Sequence, residues 1–78
     1  MSRAETNKKM VHTALLSLTK GRNERPSDYK EWIKTREISD LCNVSIYTAR
    51  LYLLELEKEG HVLCSHQLVS NSLRWFPA

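Results

Sequence analysis

Four side chains near the start of one predicted helix have the chemistry needed to contact DNA. Their hydroxyl, phenol and guanidinium groups match base edges and phosphates in a major groove. They fall in the first two turns of a helix predicted over residues 45–59: Ser45, Tyr47, Thr48 and Arg50. Apolar residues of the same stretch recur at helical spacing: Ile46, Ala49, Leu53 and Leu56. The pattern predicts an amphipathic helix that presents a DNA-binding surface, and we add Arg36 and Arg74 as further candidate DNA contacts.

A shorter helix is predicted directly before this one. Thr35, followed by Glu37, indicates a capped helix start, and three apolar residues then share one face: Ile38, Leu41 and Cys42. Asn43 suits a tight turn because asparagine tolerates left-handed backbone angles. Ser45 is a strong N-cap, and Gly60 stands where a helix ends. We therefore predict a helix-turn-helix over residues 35–60, whose second helix enters the groove.

Two β-prone runs follow the second helix, at residues 61–65 and 73–76. They predict a hairpin, hence a wing, over residues 61–76. Leu68 and Val69 are apolar residues near its tip, which suggests a protein contact there. Residues 32–34 could add a third strand; the alternative is a solvated loop in which Trp32 covers the core.

The first third of the chain predicts a supporting helix and a connection. Val11, Ala14, Leu15 and Leu18 give residues 8–20 an apolar face. Residues 1–7 are expected to be frayed, and residues 21–34 to be mostly loop. A chain of 78 residues supports one small core. The expected fold is mainly α: a single winged-helix domain over residues 1–78, with three helices and a two- or three-stranded antiparallel wing.

Charge is distributed unevenly along the chain. Residues 1–36 contain nine Lys or Arg and four Asp or Glu, a net charge of +5, whereas residues 37–78 contain three and five, a net charge of −2. The basic potential therefore lies mainly outside the predicted recognition helix. The second half of that helix carries Glu55, Glu57 and Glu59, which would repel phosphates. Only its first two turns are expected to approach DNA.

Other chemistry has little support in the sequence. With only Gly21 and Gly60, the chain has no glycine-rich phosphate loop, and no serine lies in a nucleophile pattern. His61, Cys64 and His66 are close in sequence, but a strand would put His61 on the opposite face from the other two. We expect no enzyme, no cofactor and no metal site, and two reduced cysteines. No apolar run approaches the roughly 20 residues that span a bilayer, and we expect a cytoplasmic, nucleoid-associated protein without a membrane partner.

The stretch from Tyr47 to Gly60, YTARLYLLELEKEG, resembles the core of the PapI/FaeA-type regulators of bacterial fimbrial operons. The Glu37-Ile38 pair and Trp75-Phe76 agree with it, and we expect a plasmid-encoded member of this family. The resemblance implies a small winged helix that controls pilus transcription. It also implies action with the leucine-responsive regulatory protein at phase-variable promoters sensitive to adenine methylation. The connection over residues 21–34 is longer than this family leads us to expect.

Together these observations predict a DNA-binding transcriptional regulator of a fimbrial operon that acts beside a larger DNA-bound protein. Double-stranded DNA and the leucine-responsive regulatory protein are the expected partners, and a monomer is the expected state. The alternative is a winged helix that binds a transcription factor without itself contacting DNA. The candidate residues for a protein contact are Leu51, Leu68 and Val69.

Overall fold

Three helices and a small antiparallel sheet make up the fold, as the sequence predicts. The computed structural model describes residues 3–22 and 24–78. In chain order the elements are α1 (Arg3–Leu18), a 3₁₀ turn (Tyr29–Glu31), β1 (Ile33–Lys34), α2 (Thr35–Cys42), α3 (Ile46–Lys58), β2 (Val62–Cys64) and β3 (Arg74–Pro77). This architecture is that of a winged helix-turn-helix.

The first helix is longer than expected. It begins at Arg3, so the prediction of a frayed start is wrong for residues 3–7, and it ends at Leu18. Glu5 lies in its first turn, where a negative charge is favoured by the helix dipole. Val11 and Leu15 are fully buried against the other elements, and Ala14 is buried beside them. The predicted apolar face is thus confirmed, and α1 supports α2 and α3.

The turn between α2 and α3 and the end of α3 follow from local signals. Asn43 has φ 56° and ψ 43°, and the Val44 N–H donates to the carbonyl of Ser39 at 3.1 Å. Gly60 has φ +83°, and the N–H groups of Gly60 and His61 donate to the carbonyls of Glu57 and Leu56. This pair of bonds is the Schellman arrangement that a glycine at this position favours.

The start of α2 differs from the prediction. The N-cap is Lys34, whose backbone N–H donates to the Glu37 carboxylate at 2.9 Å. Thr35 is instead the first helical residue, and its hydroxyl accepts a hydrogen bond from the Trp75 indole N–H at 2.8 Å. Leu41 does not share the buried face of Ile38 and is 55% exposed. The Thr35 hydroxyl thus bonds to Trp75, 40 residues away, and does not cap α2.

The sheet has the order β1-β3-β2, with both pairs antiparallel. Ile33 lies opposite Trp75, so the predicted third strand is confirmed. Pro77 lies within β3 opposite Val62. Beyond the strands, Val69 and Ser72 exchange two backbone hydrogen bonds around Ser70 and Asn71, which have φ 53° and 64°. Positive φ at both central residues is what a two-residue hairpin turn of type I′ requires.

The connection between α1 and β1 is folded onto the sheet. The Trp32 indole N–H donates to the Pro26 carbonyl at 2.8 Å, and the ring packs edge-on against Tyr29 and beside Phe76. Trp32 is buried, and the pairing of Ile33 with Trp75 shows that the alternative of a solvated loop is wrong for β1. The packing fixes the chain where it enters β1 and α2.

The hydrogen bond between Trp75 and Thr35 ties β3 to the start of α2. Both residues are buried, at 0% and 3% exposure. Replacing Thr35 with valine keeps the shape but leaves the indole N–H without an acceptor, which costs about 1–3 kcal/mol. We expect Thr35→Val to lower the free energy of unfolding by that amount in urea denaturation. Thr35→Ser, which keeps the hydroxyl, should lose less, and equal losses for the two variants would contradict this role.

Candidate nucleic-acid interface

The start of α3 is exposed and held in place by its cap. The Ser45 hydroxyl accepts from the Thr48 N–H at 3.1 Å and donates to the Thr48 hydroxyl oxygen at 2.9 Å. Tyr47 is 77% exposed and Arg50, one turn later, is also exposed. Because Tyr47 and Arg50 are three residues apart, they lie on the same side of the helix. The N-cap thus fixes the first turn of α3, and the first two turns present a phenol and a guanidinium to solvent.

A groove of about 470 Å³ lies between this turn and the wing. We call it the recognition groove. Its walls come from the β1–α2 junction, the start of α3 and the wing segment, and its lining residues are Lys34, Thr35, Arg36, Ile46, Tyr47, Arg50, Leu68, Ser70, Asn71, Ser72 and Leu73. Three of the predicted DNA-binding residues, Arg36, Tyr47 and Arg50, are therefore brought together here.

The recognition groove is basic. Its lining includes Lys34, Arg36 and Arg50 and no carboxylate. None of the three cations is in an ion pair between described residues. The sequence alone placed most of the basic charge away from the recognition helix, but folding carries Lys34 and Arg36 to its first turns. A lining with this charge attracts an anionic ligand.

The remaining predicted DNA contacts are placed differently. Ser45 and Thr48 flank Tyr47, but their hydroxyls are hydrogen-bonded to each other. Arg74 is buried, and its guanidinium donates to the carbonyls of Lys30, Trp32 and Val69 at 3.3–3.4 Å. Its Nη atoms are thereby committed to backbone oxygens that join the wing to β1. This side chain holds the wing and is not among the groove's lining residues.

The predicted protein-contact residues differ in their exposure and in whether they line the recognition groove. Leu51 is 57% exposed and Leu68 is 69% exposed. Leu68 lines the recognition groove, whereas Leu51 does not. Val69 is only partly exposed, since its backbone is part of the hairpin turn.

Sequence reasoning did not single out the wing-tip residues Ser70 and Asn71 as groove residues. A usable signal was present: Ser-Asn between Val69 and Ser72 suits a two-residue turn because asparagine tolerates positive φ. Their hydroxyl and amide groups can donate and accept hydrogen bonds. The tip thus adds polar groups to the wall opposite Arg50 and Tyr47.

The acidic end of α3 is largely occupied by contacts within the chain. Lys8 of α1 forms an ion pair with Glu59, and this hydrogen bond lowers the pKa of the Glu59 carboxyl. His66 lies 3.0 Å from the Glu57 carboxylate. Of the three glutamates expected to repel phosphates, Glu59 therefore has a cation that offsets its charge, and Glu57 has a hydrogen-bond partner. None of them lines the recognition groove.

The described residues contain neither a cluster of metal-binding side chains nor a helix that could cross a membrane. Histidine, cysteine and acidic side chains do not come together in groups of three or more there. Cys42 is buried and Cys64 partly so; both are free thiols, and burial raises the pKa of each. Within the part of the chain that the structure describes, no helix is long and apolar enough to cross a membrane.

A basic groove between a helix-turn-helix and its wing defines the chain as a winged-helix protein with a candidate nucleic-acid interface. The family model of the FaeA-like proteins matches residues 15–67. That stretch covers most of the chain, including both helices of the motif, and the chain belongs to the FaeA-like family. The match confirms the resemblance at the level of the family, and the plasmid-encoded member stays a prediction. No curated protein and no solved structure matches the chain.

Proposed function

We propose that this protein is a DNA-binding transcriptional regulator of a fimbrial operon. The observation that carries the proposal is the recognition groove, where Arg36, Tyr47 and Arg50 converge with Lys34. Tyr47 and Arg50 have the position and chemistry to contact base edges in a major groove. Arg36 and Lys34 are placed to neutralise phosphates, with the wing tip beside them. Ser45 and Thr48 support the proposal as the cap that fixes the first turn.

The protein would act beside a larger DNA-bound protein, for which the family favours the leucine-responsive regulatory protein. A single module of this size buries about 600–1,000 Å² on DNA, at the small end for specific binding. The recognition groove offers only three cations. Affinity from a second protein on the same DNA would compensate for this small footprint. In this proposal the regulator is a monomer at phase-variable, methylation-sensitive promoters of the nucleoid.

A salt series tests the proposal directly. The three cations of the recognition groove should contribute a slope of about −3 to the plot of log K against log salt, at about −0.9 per phosphate. We expect weak binding of the isolated protein to duplex from a fimbrial regulatory region at physiological salt. Binding should strengthen when the leucine-responsive regulator is present.

Gel shifts with and without that regulator, on the operon duplex and a scrambled duplex, measure both effects. The scrambled duplex controls for sequence-independent attraction to phosphates. Nanomolar binding by the isolated protein, unchanged by the partner, would refute the need for a second protein. No preference for the operon duplex under any condition would refute the regulatory role.

A second candidate function is that of a protein-interaction module that does not contact DNA. Exposed leucines on α3 favour it: Leu51 and Leu54 are 57% and 38% exposed and lie outside the recognition groove. On this hypothesis Leu51→Ala would weaken the complex with the partner, and Arg50→Ala would not affect it. Amide chemical shifts would move with the partner and stay fixed with DNA alone. The groove's charge favours the DNA-binding function over this one.

A further inference from the structure

A second basic pocket shares Lys34 with the recognition groove. We call it the phosphate pocket; it has a volume of about 300 Å³, and its lining residues are Arg22, Lys30, Glu31, Trp32, Ile33, Lys34, Glu37 and Arg74. Lys34 lines both the recognition groove and this pocket. Four cations and two carboxylates give the lining a net positive charge. The two linings together therefore place cationic side chains on α3, on β1 and in the connection before it.

The charges in the phosphate pocket are poorly neutralised by the protein itself. Arg22 donates from Nη1 to the Glu31 carbonyl at 2.7 Å, so one neutral oxygen holds it in place. Glu37 accepts from the Lys34 backbone N–H, which engages one of the two acids. Ion pairs between described residues include none of the four cations. The four cations of the pocket are thus not ion-paired, and its two carboxylates leave a net charge of +2.

Arg74 is a buried cation of the phosphate pocket that has no ion-pair partner among the described residues. Its side chain is about 95% buried, its hydrogen-bond acceptors are neutral carbonyls, and its Nε has no partner among the described residues. A buried charge without an opposite charge nearby is costly. The guanidinium raises the positive potential of the pocket without needing to touch a ligand. An anion held by the exposed cations in front of it would offset that cost.

We propose that the phosphate pocket binds a phosphate group of the DNA backbone, outside the stretch contacted by the recognition groove. Arg22 and Lys30 would donate to the phosphate oxygens, and Lys34 would lie between this phosphate and those at the groove. Arg74 acts through its charge and by holding Lys30 and Trp32 in position. Such contacts carry no sequence information but set register and affinity. The inference rests on the proposed function and extends it to a second contact region.

The test compares two double variants with the same change in net charge. Arg22→Gln with Lys30→Gln removes two cations from the phosphate pocket; Lys20→Gln with Arg25→Gln removes two exposed cations that do not line it. With a short duplex of arbitrary sequence, the first variant should make the slope of log K against log salt shallower by about 2. The control variant should keep a slope close to that of the wild type. Equal changes in the two variants would overturn the proposal.

A variant with increased affinity for DNA controls for loss of binding through misfolding. Glu31 lines the phosphate pocket and Glu24 does not. We expect Glu31→Gln to bind the duplex more tightly than wild type, and Glu24→Gln to bind with nearly unchanged affinity. Because unfolding cannot improve affinity, a gain specific to Glu31→Gln supports the pocket. Equal affinities of Glu31→Gln and Glu24→Gln would overturn the proposal. It would also be overturned if the Arg22 and Lys30 double variant is folded by thermal melting and yet keeps the wild-type salt slope.

A titration with inorganic phosphate distinguishes the two possible ligands of the phosphate pocket, the DNA backbone and a free anion. Titrated alone, it should shift the amide signals of Lys30 and Glu31 only weakly, whereas the duplex should shift them at far lower concentration. Saturation by inorganic phosphate at concentrations comparable with the duplex would overturn the assignment to the DNA backbone. A wild-type protein that binds no duplex even at low salt would overturn the proposed function as well. Wild-type binding with an unaltered slope in the Arg22 and Lys30 variant would overturn this inference alone.

Discussion

Replacing Leu53 with alanine is expected to lower the free energy of unfolding by about 2–5 kcal/mol. Leu53 is fully buried on the inward side of α3, where it packs in the core with Val11, Leu15 and Trp75. The substitution removes apolar surface and leaves a cavity that a small core cannot easily close. Since a domain of this size has only about 5–15 kcal/mol of stability or less, the variant should melt many degrees lower.

Leu51→Ala provides the matched control, because it makes the same chemical change two residues away on the same helix. Leu51 is exposed, so its truncation should change the free energy of unfolding by less than about 0.5 kcal/mol. Urea and thermal denaturation followed by circular dichroism measure both variants. Melting of Leu53→Ala within a degree or two of wild type would show that this core assignment is wrong.

Arg50→Ala and Tyr47→Ala are expected to remove sequence-specific DNA binding while leaving the fold intact. Both side chains are exposed and line the recognition groove, so neither contributes to the core. A good base contact is worth about 1–3 kcal/mol of discrimination. Each variant should therefore lose about 5- to 150-fold of its preference for the operon duplex, and the double variant should bind operon and scrambled duplexes alike.

Lys58→Ala is the control for Arg50→Ala. It removes one positive charge from the last turn of the same helix, outside the recognition groove. Competition binding with operon and scrambled duplexes measures preference, and thermal melting confirms that each variant is folded. If folded Arg50→Ala and Tyr47→Ala both keep the wild-type preference, α3 does not enter the groove of the DNA.

Features set by neighbours in sequence could be predicted from the sequence. The Asn43 turn, the Ser45 cap and the Gly60 end of α3 each depend on one residue's backbone or side-chain chemistry, and all three are confirmed. The buried positions Leu53 and Leu56 followed from helical periodicity and are confirmed as well. Local rules thus sufficed to place the helix-turn-helix and to orient α3.

Features set by distant contacts could not be predicted in this way. The Thr35 hydroxyl bonds to Trp75, 40 residues away, so capping statistics pointed to the wrong role. Strand alternation puts Arg74 on the opposite face from Trp75, which in an isolated hairpin would be exposed to solvent. In the structure, β1 and the turn before it cover this face. The recognition groove likewise depends on β1 bringing Lys34 and Arg36 beside Arg50. No spacing in the sequence reveals these encounters.

The position of β3 between β1 and β2 has a consequence for the synthesis of the protein. The ribosome makes β1 and β2 before β3, and in the finished sheet each of them pairs only with β3. Neither strand has its sheet partner until residues 74–77 have left the exit tunnel. The helices can form earlier because their hydrogen bonds are local. The walls of the recognition groove that are not part of α3 therefore become fixed only after β3 has been made, and a nascent chain has α3 before it has a groove.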